Sequence, residues 1–184
     1  AYADEEFTIR MSYSKVMKSL SDSTSKNEID TSTGDIIGSH MVFQPFNADS
    51  MTKWQIKEDL YFDKVRGRLI TQIVYLAPWI RFKNSKGEYE AGSDRRPFFL
   101  YFPQVRKALA GRQVFDTQRD LYDVSYDDIF VSRKFKSLIV KESNPADNRI
   151  KDYPGYADDV EKQKKEAARI EEEIRNYKKI LWKY

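Results

Sequence analysis

Apolar and polar residues alternate most regularly between Trp54 and Phe62. Trp54, Ile56, Glu58, Leu60 and Phe62 fall on one side, and four of the five are apolar. Period-two spacing marks a half-buried strand, because successive side chains leave opposite faces of a pleated backbone. Asp63-Lys64-Val65-Arg66-Gly67 follows as a hairpin turn, with glycine where a positive φ is needed. Arg68 to Phe82 then reads as a longer strand rich in Ile, Val and Tyr. So short a turn makes the two strands antiparallel, pairing Trp54, Ile56, Leu60 and Phe62 with residues of Arg68 to Tyr75. Pro78 has no amide to donate, so the far end of the second strand belongs at an edge or a bulge. Asn84 to Arg96 is a polar loop. Pro97 to Phe102 is a third strand, nearly all aromatic, whose large side chains alternate between both faces as in a strand buried on two sides.

Helical periods flank this meander. Phe7 to Met11 reads as a short strand, followed by a helix from about Ser12 with Val16, Met17 and Leu20 on its apolar face. Ser21 to Ser39 is rich in Ser, Thr, Asp and Gly and reads as a long polar loop. Pro103 opens a helix through Val105 and Leu109 that stops at Gly111. Ser125-Tyr126-Asp127-Asp128 is a helix start, with Ser as N-cap and carboxylates at the positive end of the dipole. That helix carries Ile129, Phe130, Phe135, Leu138 and Ile139 and ends at Asn144-Pro145. Tyr156 to Tyr184 is one long helix with a heptad: Val160, Ala167, Ile174 and Leu181 recur every seven residues, and Gln163, Ile170, Tyr177 and Tyr184 lie three further on. The fold class is α+β: an antiparallel β-meander with flanking helices and a long C-terminal helix. Residues 1–155 form one domain, and the helix 156–184 packs on it or on a partner through Ile170, Ile174, Tyr177 and Leu181.

A chain of 184 residues buries roughly 70% of its unfolded surface and needs no staple. Charged residues make up 33% and mean hydropathy is −0.72, yet 14% aromatic content is too high for a disordered chain. Those aromatics fill a core, or a core and a partner surface. With no cysteine, disulfides, thiolate metal sites and thiol catalysis are excluded. No apolar run reaches the roughly 18 residues that span a bilayer. The chain starts at Ala1 without Met, so any targeting segment is expected to have been removed. Residues 1–52 carry 4 basic and 8 acidic side chains, residues 53–155 carry 20 and 14, and residues 156–184 carry 8 and 7. An acidic start and a basic middle suit head-to-tail docking, with Asp4, Glu5 and Glu6 meeting a basic surface of a neighbour.

The catalytic patterns are missing from the sequence. His40 is the single histidine and lies in a polar stretch; a Ser-His-Asp triad could use only this residue, no serine has a nucleophile-elbow glycine pattern, and one His without Cys leaves only carboxylates for a metal, so His40 reads as a loop residue. Asp30-Thr31-Ser32-Thr33-Gly34-Asp35 has the glycine of a calcium loop one position early and lacks the twelfth-position Glu; it reads as a turn. Asn144, Asp147, Asn148 and Asp152 likewise read as a helix stop and a turn. Asp127-Asp128 and Asp158-Asp159 are adjacent pairs in helix starts, not carboxylates facing across a cleft. None of the seven glycines forms a phosphate-cradling spacing. No catalytic, cofactor or metal residue is assigned.

A longer pattern does carry identity. Tyr2-Ala3-Asp4-Glu5-Glu6-Phe7-Thr8, Ile56-Lys57-Glu58-Asp59, Phe62-Asp63-Lys64, Tyr101-Phe102-Pro103 with Arg106, Asp127-Asp128-Ile129-Phe130 and Lys141-Glu142-Ser143-Asn144 occur in an order and spacing that resembles the GldN/PorN family of Bacteroidota. The resemblance covers most of the chain and is weakest between Ser21 and Ser50. It implies a non-enzymatic periplasmic component of the type IX secretion and gliding-motility machinery, associated with the outer membrane. The implied partners are a GldK/PorK-like outer-membrane lipoprotein, further copies of the chain in a ring, and the periplasmic part of a GldM/PorM-like inner-membrane motor protein, with no nucleic acid, cofactor or small-molecule substrate. Phe98-Phe99-Leu100 stands where the family pattern leads one to expect Trp, and the chain looks shorter than whole members at both ends. The alternative is a nucleic-acid-binding module, in which Arg66, Arg68, Arg95 and Arg96 hold phosphates and Phe98, Phe99, Tyr101 and Phe102 stack on bases. A net charge of +3 is weak for that role.

Overall fold

Ser12 starts the first helix, α1 (Tyr13–Leu20): its hydroxyl accepts the Lys15 backbone N–H at 3.3 Å, filling one of the amides a helix start leaves open. The computed structural model describes residues 1–44, 46–81, 94–116 and 121–181. Val16 and Leu20, one turn apart, face the same apolar cluster, while Met17 is more exposed. The strand expected at Phe7–Met11 is absent; isolated bridges join Tyr2 to Arg10 and to Phe99 instead. Phe7 has φ of +59°, which breaks an extended run.

The expected loop at Ser21–Ser39 is a correction. It folds as an antiparallel ribbon of β1 (Asp22–Ile29) and β2 (Ile36–Gln44), in register from Asp22 opposite Gln44 to Ile29 opposite Ile36. The turn is made by the acidic segment that resembled a calcium loop. Asp30 accepts the Ser32 backbone N–H on its carboxylate and the Gly34 N–H on its carbonyl, both at 2.8 Å, and Gly34 takes φ of +77°. His40 sits in β2 opposite Lys26. Between Ser21 and Ser39 only Ile29, Ile36 and Ile37 are large and apolar, too few for a period-two record, which is why the segment reads as loop.

A 3₁₀ turn, Ala48–Ser50, leads into β3 (Met51–Asp63), and β4 (Arg68–Ile80) returns beside it; β5 (Leu100–Tyr101) completes a three-stranded sheet in the order β3-β4-β5. The hairpin forms where the alternation predicts it. Asp63 accepts the backbone N–H of Val65 and Arg66 at 3.0 and 3.2 Å, and Gly67 has φ of +60°. β5 pairs only with Tyr75 and Leu76. Further along, Ile80 and Arg95 exchange both backbone hydrogen bonds at 3.0 Å. Pro78 lies two residues before Ile80, so its missing amide points to the same side, into the break between those pairings. The expected loop at Asn84–Arg96 falls mostly on residues 82–93, outside the described residues.

Helix α2 (Phe102–Ala110) has Pro103 in its first turn and is capped at Gly111. A second ribbon not anticipated from the sequence, β6 (Gln113–Asp116) and β7 (Leu121–Ser125), follows. Helix α3 (Tyr126–Val131) begins with a reciprocal capping box between Ser125 and Asp128. It is far shorter than the helix expected through Ile139 to Asn144. Arg133 adopts φ of +54°, Arg133 N–H donates to the Phe130 carbonyl at 3.2 Å and Lys134 N–H to that of Ile129 at 2.9 Å. This is a Schellman closure made without glycine. A 3₁₀ turn at Ile150–Asp152 precedes α4 (Val160–Leu181), which starts one turn later than expected; Asp159 accepts the Lys162 N–H at 3.0 Å ahead of it.

Among the described residues, four helices and several antiparallel sheets make the protein α+β. Two compact units divide the chain. The first comprises Ala1–Glu58 and Ile73–Arg112, the second Asp59–Gln72 and Gln113–Tyr184. The first unit's core holds Tyr75, Ala77 and Phe99 in one cluster and Leu20, Ile80 and Phe98 in another. The second unit centres on Ile150, Ala167 and Ile170.

Candidate functional site

Two of the three N-terminal acids are engaged inside the chain. The Asp4 carboxylate accepts the backbone N–H groups of Thr8 and Ile9 at 2.8 Å each, closing the turn that positions Phe7. The Thr8 amide, first among these donors, holds the Asp4 carboxyl below its ordinary value. Glu5 pairs with Arg96 at 2.9 Å. Gln55 accepts a second Arg96 hydrogen bond at 3.1 Å, and the guanidinium lies 5.7 Å from the Trp79 ring centre and 5.5 Å from that of Phe99. Gln55 donates to the Tyr75 hydroxyl at 3.1 Å. Burial pushes the Tyr75 phenol up to about 12, with the Glu5 carboxylate adding to the effect. Around this polar clamp the rings of Tyr2, Phe7, Tyr75, Phe99 and Tyr101 stack edge-on or tilted, 4.8 to 6.3 Å apart. Asp4 therefore closes a local turn, Glu5 ties the N-terminal segment to Arg96, and Glu6 is the exposed acid of the three.

The residues of the nucleic-acid alternative are spent differently from a binding platform. Phe98, Phe99 and Phe102 are buried, so their faces are not open to bases. Arg96 is held by Glu5, Gln55 and two rings, Arg66 pairs with Asp63 at 3.2 Å, and Arg95 is fastened through its backbone to Ile80. Arg68 is exposed at the start of β4.

The α4 seam is buried in its middle. Ala167 and Ile170 are nearly inaccessible and pack with Ile150, while Ile139, Tyr153, Tyr156 and Ile174 cover the rim. Tyr177 is 64% exposed, Val160 is also exposed, the Leu181 side chain is not described and Tyr184 lies outside the described residues. The contact thus centres on Ala167 to Ile174 rather than extending through Tyr177. Arg169 braces the solvated side, 2.7 Å from Glu166 and 3.8 Å from Glu142.

The largest departure from expectation is on β3. The alternation predicts one covered face, yet of the apolar residues on that side only Ile56 is partly buried, while Trp54, Leu60 and Phe62 are 40 to 42% exposed, with Tyr61 and Val65 exposed as well. β3 is an edge strand. The turn of the β1–β2 ribbon displays Ile29, Ile36 and Ile37, all more than half exposed. Those isoleucines stood inside a segment read as loop; their β-branched clustering on both sides of an Asp–Gly turn was the available signal.

Among the described residues no group of His, Cys, Asp or Glu could hold a metal ion. An open depression lined by Gly155, Asp158, Asp159, Val160 and Glu161 surrounds the start of α4, where Asp159 is committed to capping. No described helix is long and apolar enough to cross a membrane. These features define an α+β protein with an aromatic, arginine-clamped nucleus and uncovered apolar surfaces on strand elements. The family model described as "Gliding motility associated protein GldN" matches residues 1–183, and the chain belongs to that family. It is therefore a gliding-motility-associated protein. No curated protein matches it.

Proposed function

We propose that the chain is a non-enzymatic structural subunit of the type IX secretion and gliding-motility machinery. In this reading it resides in the periplasm against the outer membrane, assembles with an outer-membrane lipoprotein into a ring, and contacts the periplasmic part of an inner-membrane motor protein. The observation that carries the proposal is the family match across residues 1–183. Support comes from the uncovered apolar residues of β3 and of the first ribbon, since exposed apolar patches mark protein contacts. The test is co-purification of the full chain from envelope membranes, with mass spectrometry of what accompanies it. A lipoprotein and a motor protein in a complex far above 21.7 kDa is the expected result. Elution of the chain alone at its own mass from gently solubilised envelopes would overturn the proposal.

A further inference from the structure

We propose that the isoleucine tip of the β1–β2 ribbon docks on the exposed apolar face of β3 in a second copy of this chain. The inference rests on the assembly reading and names the contact between neighbouring subunits.

The ribbon needs a partner. It is a sheet of only two strands, and such a hairpin is marginal in water unless something packs against it. Ile29 and Ile36 are cross-strand partners, and Ile37 is the extra residue where the register shifts beside them. The three are 57, 64 and 68% exposed and belong to none of the buried clusters described above. Three large apolar side chains exposed at the end of the arm are costly to leave in water.

The receiving surface has matching chemistry. Leu60 and Phe62 share one face of β3 through the period-two alternation, and among the described residues the strand's outer side pairs with no other named strand. Charge favours the unlike pairing. From Asp22 to Ile37 the ribbon carries Asp22, Glu28, Asp30 and Asp35 against Lys26 alone. From Lys53 to Arg68 the hairpin carries five basic residues against Glu58, Asp59 and Asp63. Two tips repel each other, as do two hairpins, whereas a tip and a hairpin attract. The contact uses different patches on the two copies, the kind of interface that builds rings and open chains.

The absence of cysteine makes the test clean. Ile36→Cys and Leu60→Cys are placed in separate full-length chains, mixed, and oxidised under conditions where the parent sediments as an oligomer. The mixed pair is expected to form a disulfide-linked dimer at least tenfold faster than an Ile36→Cys and Tyr177→Cys pair, whose second site is exposed on α4. Ile36→Asp with Ile37→Asp is expected to weaken self-association at least tenfold while the far-ultraviolet spectrum stays unchanged. A mixed pair that links no faster than the α4 control, in an oligomeric sample, overturns this contact and leaves the assembly reading standing. Linkage of the Ile36→Cys chain to a lipoprotein in envelopes instead of to Leu60→Cys also overturns it, as does closure of a disulfide inside a single chain carrying both substitutions. A parent chain that stays monomeric and captures no envelope partner removes the assembly reading, and this contact with it.

Discussion

Replacing Ile170 by alanine should unfasten α4. Ile170 is 2% exposed and meets Ile150 and Ala167 in a cluster whose rim is formed by Ile139, Tyr153, Tyr156 and Ile174. The substitution deletes the three carbons beyond Cβ, at about 0.8 kcal/mol for each buried methylene or methyl, and leaves a cavity. Because only three members of the cluster are fully buried, the half-exposed rim can relax into the space, which keeps the cost near the lower end of the usual range, at about 3 kcal/mol. Amide exchange of α4 reads the effect directly, since it reports the opening of one segment rather than of the whole chain. At about 1.4 kcal/mol per factor of ten, exchange across Ala167 to Ile174 should accelerate roughly a hundredfold. Exchange in α1 should be unchanged. Tyr177→Ala, on the same helix but 64% exposed, should stay within about 0.5 kcal/mol of the parent. Ile174→Asp, at the rim, should cost about 2 kcal/mol by drawing a carboxylate against the apolar cluster. Equal exchange in the parent and in Ile170→Ala would refute the argument that this cluster holds the helix.

Arg96→Lys should cost about 1 to 2 kcal/mol in urea denaturation, because an ammonium cannot bridge Glu5 and Gln55 while lying flat against Trp79 and Phe99; stability equal to the parent would show that the clamp is only a point charge. Tyr75 should give a late step near pH 12 in a phenolate absorbance titration, and Tyr75→Phe should delete that step. Its folded value is raised above 10.0, so above pH 10 the unfolded chain releases the proton first and stability falls until about pH 12 is passed; a uniform titration of all twelve tyrosines would contradict this. Gly67→Ala should cost about 1 kcal/mol, since φ is +60° and an added Cβ meets no atom within 4 Å, so the penalty is purely conformational. A Gly67→Ala melting curve that overlays the parent's would show that the turn relaxes.

The local features were legible in the sequence because they depend on near neighbours. Ser12 and Ser125 cap helices, Pro103 opens one, Gly67 turns the hairpin, and the β3 alternation forms a strand. Each depends on hydrogen bonds or torsions within a few residues. The family resemblance was likewise readable from residue types and spacing. The β1–β2 ribbon was not, because Ile29, Ile36 and Ile37 are the only large apolar residues between Ser21 and Ser39 and they do not alternate with period two. The end of α3 was missed because Arg133 closes it in a left-handed conformation that sequence favours for glycine. Which apolar faces find cover is the part that only tertiary structure decides. Trp54, Leu60 and Phe62 satisfy the pattern of a buried face as well as Ile73 and Tyr75 do, yet the first three stay open and the latter two are buried. Periodicity records that a side chain is apolar and which way it points; whether something lies there to meet it depends on contacts between segments far apart in the chain, or between chains.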